Sequence, residues 1–278
     1  MKVTVVGAGT MGRGIAQVFA QAGNSVILTD IYPKALEDAA SSIRSSLERL
    51  FRKGEIKENI DTILQRITST QELSAGSDSD MFVEAVIEKV ETKESLLTQI
   101  SQIARRDAII GTNTSSISIN QLSSFVTYPE RFIGIHFFNP VPVMKLVEIV
   151  KGERTPESLV RKTFEIVKAL GKDPVISQDF PGFISNRVLM PMIREAILVL
   201  EEGIATKNDI DKTMKLGMNH PMGPLELADF IGLDVTLDIM EVLYHEYGDP
   251  RFKPPVTLRN LVNARKLGRK TSEGFYKY

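Results

Sequence analysis

The sequence predicts an α/β fold: a doubly wound, mostly parallel sheet followed by a second, all-α domain. Three observations carry this reading. Short β-branched runs alternate with amphipathic helical patterns as far as residue 177. A glycine-punctuated turn, Gly7-Ala8-Gly9-Thr10-Met11-Gly12, joins the first such run to the first helix. Strand signals then fade beyond Asp179-Phe180-Pro181-Gly182, where Pro and Gly interrupt the chain. A chain of 278 residues suits two ordinary domains, placed at 1–180 and 181–278.

Val3, Val5 and Val6 form the first strand, ending at Gly7, and Ile15, Val18, Phe19 and Ala22 recur at helical spacing after it. Residues 25–29 form the second strand and end on Asp30, which completes a βαβ unit whose crossover should be right-handed. Pro33 suits the first turn of a long helix that carries Leu36, Ala39, Ala40, Ile43, Leu47 and Leu50 on one face and stops near Gly54. Strands are expected at 81–86, 108–112, 132–137, 146–150 and 174–177, and helices at 92–103, 117–122 and 157–170. Beyond Phe183 the pattern is helical, at 184–202, 207–215, 225–230, 234–247 and 258–266.

Lys and Arg number 34 against 35 Asp and Glu, so overall charge gives no reason to expect nucleic acid or an anionic membrane as a partner. The lack of cysteine excludes disulfides, thiolate nucleophiles and Cys-based zinc sites. With no signal-peptide pattern and no apolar run long enough to span a bilayer, the expected location is the cytoplasm.

In the GxGxxG turn, Gly7 permits the turn, Gly9 lets a phosphate approach the backbone, and Gly12 lets the helix pack against the strand. The context of strand, turn, helix and a following acidic residue makes this a Rossmann-like dinucleotide site, with the pyrophosphate at the helix N-terminus. Thr10 and Met11 complete the loop. Asp30 can accept hydrogen bonds from a ribose 2′-hydroxyl and would repel a 2′-phosphate, so NAD is expected over NADP. FAD, which uses the same fingerprint, ranks lower, and Arg13 reads as an exposed helix residue.

Of the three histidines, only His136 lies at the end of an expected sheet strand, in FIGIHFFNPVPVMKLVEIV. Glu148 lies on the following strand, and a hairpin would bring it beside His136 as the group that orients a general base. With Ser115 the pair could suggest a hydrolase triad, but no GxSxG elbow is present. His245-Glu246 lacks the second histidine of HExxH and His220 reads as a turn residue, so no metal is expected.

The segments GAGTMGRGIAQ, TNTSS, HFFNPVPVMKLVE, PGFISNR, MKLGMNHPMGPLELADFIGLD and GRKTSEGFYKY, in this order, resemble the short-chain 3-hydroxyacyl-CoA dehydrogenases, which include bacterial 3-hydroxybutyryl-CoA dehydrogenases. The resemblance covers essentially the whole chain. It implies His136 as base, Glu148 as its orienting carboxylate, and Ser115 and Asn186 as substrate contacts. It implies Glu88, Lys93, Asn113, Ser115 and Lys270 beside the GxGxxG loop and Asp30 as cofactor contacts, and Ser46 and Lys53 as contacts to coenzyme A. Arg44, Arg49 and Arg52 add positive charge near the last two. Lys89 and Ser272 depart from the family, which commonly has an amide or acidic residue at the first and glycine at the second.

The implied activity is the reversible NAD-dependent oxidation of an L-3-hydroxyacyl-CoA to the 3-oxoacyl-CoA, in fatty-acid or butanoate metabolism, by a monofunctional homodimer paired through its helical domain. The apolar run VLMPMIREAILVL at 188–200 is consistent with pairing, and the substrate is expected in the cleft between the domains. The rival readings are a dehydrogenase of a free hydroxy acid and a non-catalytic dinucleotide-binding protein.

Overall fold

The computed structural model describes residues 1–278, which divide into two compact units, Met1–Asp179 and Phe180–Tyr278. The first unit is built on an eight-stranded sheet of order β3-β2-β1-β4-β5-β6-β7-β8. Its strands are β1 (Lys2–Val6), β2 (Ser25–Thr29), β3 (Ile67–Thr70), β4 (Met81–Glu84), β5 (Ile109–Thr112), β6 (Phe132–Phe137), β7 (Leu146–Lys151) and β8 (Asp173–Gln178). The helices are α1 (Thr10–Gln21), α2 (Pro33–Arg52), α3 (Ile60–Gln65), α4 (Val90–Ile103), α5 (Ile119–Ser123) and α6 (Glu157–Ala169). Every pairing is parallel except β6 with β7, an antiparallel hairpin whose register sets His136 opposite Glu148.

The central strands are covered on both faces, which is why they read as near-continuous apolar runs. Val3, Val5, Val26, Leu28, Val83, Ile133 and Ile149 are fully buried and pack with Ile15 and Phe19 of α1. Thr4, the polar residue inside β1, is tolerated because its hydroxyl pairs with Ser79 Oγ at 2.8 Å. The long helix α2 buries Leu36, Ala39, Ile43, Leu47 and Leu50, a single stripe at helical spacing. Ala40 and Ala22, assigned to apolar faces in the sequence, are exposed: Ala40 falls one residue outside that stripe and Ala22 is the C-cap of α1.

Two elements have no counterpart in the sequence reading. Helix α3 has six residues, capped by Asn59 Oδ1, which accepts from the backbone N–H of Asp61 and Thr62. Edge strand β3 is only partly covered. Both are too short to display a period. The strand expected at 81–86 stops at Glu84 because Val86 N–H donates to the Glu84 side chain rather than to a neighbouring strand. The helix expected at 117–122 starts later because Ser118 is its N-cap, and Asp179 accepts from the N–H groups of Ile119 and Asn120.

The second unit is helical: α7 (Ser185–Glu201), α8 (Lys207–Gly217), α9 (Pro224–Ile231), α10 (Leu233–Tyr247) and α11 (Val256–Asn263). Helix α11 begins and ends earlier than the expected 258–266, with Arg265 in the left-handed region just past its end. The apolar run at 188–200 packs Met190, Ile193, Ala196 and Ile197 into this unit's own core, while Val188 is 68% exposed. Buried Asp229 accepts from the N–H groups of Phe275 and Tyr276, both at 2.9 Å, and so ties the final segment to α9. Ser272 has φ +61°, in the left-handed region where glycine is favoured. No helix is long and apolar enough to cross a membrane.

Candidate active site

Gly7 has φ +104°, and a Cβ there would lie 2.6 Å from Ala85 O. A Cβ on Gly12 would lie 1.7 Å from Gly7 O, so the first turn of α1 closes on the loop only without a side chain. Gly9 differs: a Cβ there would meet nothing within 4 Å, so its backbone faces open space at the N-terminus of α1. That terminus has no side-chain cap and no acidic residue in its first turn, so its N–H groups and helix dipole are disposed toward an anion. Asp30 Oδ2 accepts from Ala8 N–H at 2.7 Å and Oδ1 from Tyr32 N–H at 2.9 Å, which holds the carboxylate beside the loop. Thr10 is exposed and Met11, half-buried, packs against the core. These residues fit a dinucleotide diphosphate with an adjoining ribose.

Parallel pairing of β1, β4, β5 and β6 sets the segments after their carboxyl ends side by side. They carry the Gly7–Gly12 loop, Glu88, and Asn113 with Ser115, while His136 lies within the last pleat of β6 itself. Asn113 is buried and its Oδ1 accepts from Phe137 N–H at 2.9 Å, which links the end of β5 to the residue after His136.

His136 Nδ1 and Glu148 Oε2 are 2.7 Å apart, with the residues 6% and 1% exposed. A buried carboxylate only accepts, so Nδ1 carries the proton and Nε2 is the basic nitrogen. The Phe138 ring, 4.6 Å from the imidazole between centroids, gives this pair an apolar neighbour.

Ser115 stands on a turn gathered around one carboxylate. Glu88 Oε1 accepts from Thr114 Oγ1 at 2.6 Å, Ser115 N–H at 2.7 Å and Ser116 N–H at 3.1 Å. Burial raises the Glu88 carboxyl, but the Lys93 ammonium and these donors outweigh it and hold the group below the usual carboxylate range. Lys93 is fully buried, with Nζ 2.7 Å from Glu84 Oε1 and 3.3 Å from Glu88 Oε2. Sequence reasoning missed Glu84, although signals exist: an acidic residue closes the otherwise apolar β4, and Lys93 shares the buried stripe of α4 with Leu97 and Ile100. Lys89, the N-cap residue of α4, makes no capping bond through its side chain.

A groove of about 530 Å³ runs between α1, α2 and the β6–β7 turn, lined by Arg13, Ser46, Arg49, Arg52, Asn139 and Pro142 among others. Arg13 therefore faces this groove rather than standing apart on the helix. Lys53 is exposed and is not among the lining residues, and Arg44 turns away to pair with Asp61 at 3.0 Å. In the second unit, Asn186 is buried in the first turn of α7, its N–H donating to Gly182 O at 3.1 Å. Lys270 pairs there with Asp234 of α10.

Residues 2–180 match the profile of the 3-hydroxyacyl-CoA dehydrogenase NAD binding domain, and residues 182–278 that of the 3-hydroxyacyl-CoA dehydrogenase C-terminal domain. The chain is 49% identical to a probable 3-hydroxybutyryl-CoA dehydrogenase of Deinococcus radiodurans over the full length of both. It is 46% identical to a 3-hydroxybutyryl-CoA dehydrogenase of Bradyrhizobium diazoefficiens, covering all of this chain and 95% of that one. Among solved structures it is similar to the (S)-3-hydroxybutyryl-CoA dehydrogenase of Ralstonia eutropha, with TM-score 0.95 and 45% identity over 100% of this chain and 98% of that one.

Proposed function

The chain belongs to the 3-hydroxyacyl-CoA dehydrogenase family, and from that premise we propose how its residues divide the oxidation of an (S)-3-hydroxyacyl-CoA to the 3-oxoacyl-CoA. It is an NAD-dependent dehydrogenase. The observation that carries the proposal is the buried 2.7 Å contact between His136 Nδ1 and Glu148 Oε2, on the strand beside the cofactor-side loops.

Bound NAD supplies the acceptor for the hydride that leaves C3. His136 Nε2 takes the proton of the C3 hydroxyl, and Glu148 holds the imidazole in the tautomer that makes this possible. Once the imidazole is protonated, the same carboxylate stabilises it as an ion pair. In reduction the protonated His136 returns the proton to the 3-oxo oxygen. Ser115 and Asn186 hydrogen-bond the substrate and fix C3 for transfer, a step that depends steeply on orientation. Ser115 is supported by the held turn around Glu88, and Asn186 by the family resemblance.

Gly7, Gly9, Thr10, Met11 and Gly12 hold the diphosphate, Asp30 holds the ribose, and Glu88, Lys93, Asn113 and Lys270 shape the rest of the cofactor site. Of these, Lys93 acts from beneath, through Glu88, since it is itself enclosed. The basic groove lined by Ser46, Arg49 and Arg52 suits the phosphates of coenzyme A, with Lys53 at its margin. The names of the relatives favour a short, four-carbon acyl group. The same reading assigns cofactor binding to 1–180 and substrate contact and pairing to 181–278, with the enzyme a cytoplasmic homodimer.

The test follows NADH absorbance during consumption of acetoacetyl-CoA, beside NADPH, free acetoacetate and the His136→Gln variant. Turnover that needs the thioester and collapses in the variant is expected. Equal turnover of free acetoacetate would replace the thioester with a free acid, and an active His136→Gln enzyme would remove His136 as the base.

A further inference from the structure

Glu84 closes β4 with a carboxylate that has no exposure. Its oxygens accept from Val86 N–H at 2.7 Å, from Thr112 Oγ1 at 2.6 Å, and from Lys93 Nζ at 2.7 and 2.9 Å. Lys93 continues to Glu88 Oε2, and the other oxygen of Glu88 gathers the donors of Thr114, Ser115 and Ser116. A continuous series of charged contacts thus runs from the middle of the sheet to the turn that carries Ser115.

A fully desolvated Glu–Lys pair is a poor way to stabilise a core, because each ion loses several kcal/mol of hydration and an apolar pair of similar volume often does as well. An apolar pair could not place an oriented cation under Glu88. Lys93 provides one 3.3 Å from Glu88 Oε2, while the other oxygen of the carboxylate, which only accepts, takes the donors of Thr114, Ser115 and Ser116.

We propose that Glu84 is a positioning residue for the dehydrogenase reaction: through Lys93 it fixes Glu88, and through Glu88 it fixes the Thr114–Ser116 turn that presents Ser115. The catalytic consequence rests on the assignment of Ser115 to the substrate; the geometric one does not. In Glu84→Gln the shape remains but the charge is gone, so Lys93 moves its full interaction to Glu88 and draws that carboxylate off the turn.

The experiment measures amide hydrogen exchange and steady-state kinetics for wild type, Glu84→Gln, Ser115→Ala and the double variant. Exchange at Ser115 and Ser116 is expected to rise about tenfold in Glu84→Gln, as for loss of one hydrogen bond to a charged acceptor, while Val83 and Gly111 in the strands hold their protection. The Ser115→Ala penalty in kcat/KM should shrink at least about threefold in the Glu84→Gln background, since coupled residues are not additive. Unchanged exchange at the turn, or a rise shared equally by Val83 and Gly111, overturns the proposal. If exchange at the turn rises while Ser115→Ala alone leaves turnover intact, the positioning of the turn stands and the substrate assignment of Ser115 falls. Should Glu84→Gln fail to fold, Glu84→Asp withdraws the carboxylate from Lys93 by one methylene; unchanged exchange at Ser115 and Ser116 in that variant overturns the proposal equally.

Discussion

Asp30 and Ala8 are joined by a 2.7 Å hydrogen bond from the Ala8 N–H to Oδ2, so the carboxylate we assign to the cofactor's ribose also braces the loop assigned to its diphosphate. Both tasks fall on one side chain because β2 ends beside β1, and Gly7 N–H donates to Thr29 O at 2.8 Å in the same place.

Replacing Asp30 should therefore affect affinity and selectivity together. Asp30→Ala is expected to weaken NADH binding by ~10-fold or more and to narrow the preference over NADPH, because a hydrogen-bond acceptor and a repulsive charge leave at once. Fluorescence titration with both nucleotides measures this. Unaltered discrimination would mean that selectivity is set elsewhere.

Glu148→Gln preserves the shape of the strand pair but allows the His136 ring to take either tautomer. We expect kcat to fall by roughly 10²–10⁴ with little change in KM or melting temperature. Steady-state kinetics beside a thermal melt separates the outcomes: a matching fall in stability would mark the pair as structural.

Lys172 is a buried cation with its own pH signature. Its Nζ donates to Val141 O and, at 2.8 Å, to Met144 O, both in the β6–β7 turn, and burial, aided by the charge of Lys145, pushes it down to about 8. Between pH 8 and the ordinary lysine value the unfolded chain binds more protons than the folded one, so this group adds stability as pH rises through that window. Urea melts of wild type against Lys172→Met should show the difference growing from pH 8 to 10, by at most about 1.4 kcal/mol per pH unit, and staying flat below pH 7. A flat difference up to pH 10 would mean that Lys172 titrates normally.

Ser272 occupies left-handed backbone in the final segment. Ser272→Gly should raise stability by about 0.5–1 kcal/mol, since a residue with Cβ is disfavoured there. A lower melting temperature would show that the serine side chain contributes more than its backbone costs.

The elements legible in the sequence were those with a period or a defining turn. The apolar runs of the parallel strands, the stripe of α2 and the Pro-bounded turn between His136 and Glu148 each state their geometry locally. Short α3 and half-covered β3 state none, and their omission hid Asp61, the counter-ion that draws Arg44 away from the groove. Lys93 reads as an ordinary helix charge until β4 sets Glu84 against it and β5 sets Thr112 against Glu84. Pairings of that kind depend on strand order, which no local pattern encodes.

The antiparallel turn-back of β7 has a kinetic meaning as well. His136 and Glu148 are separated by only 12 residues, whereas pairing β1 with β4 closes a loop from Val3 to Met81. Loop-closure entropy grows with the length closed, and local contacts form sooner than distant ones. The hairpin that pairs His136 with Glu148 can thus assemble as a nearly self-contained piece, while the glycine loop and the Ser115 turn acquire their neighbours only when remote segments of chain meet. A substitution that slows the docking of β1 against β4 would delay the glycine-loop side of the sheet and leave the His136–Glu148 hairpin to form on its own schedule.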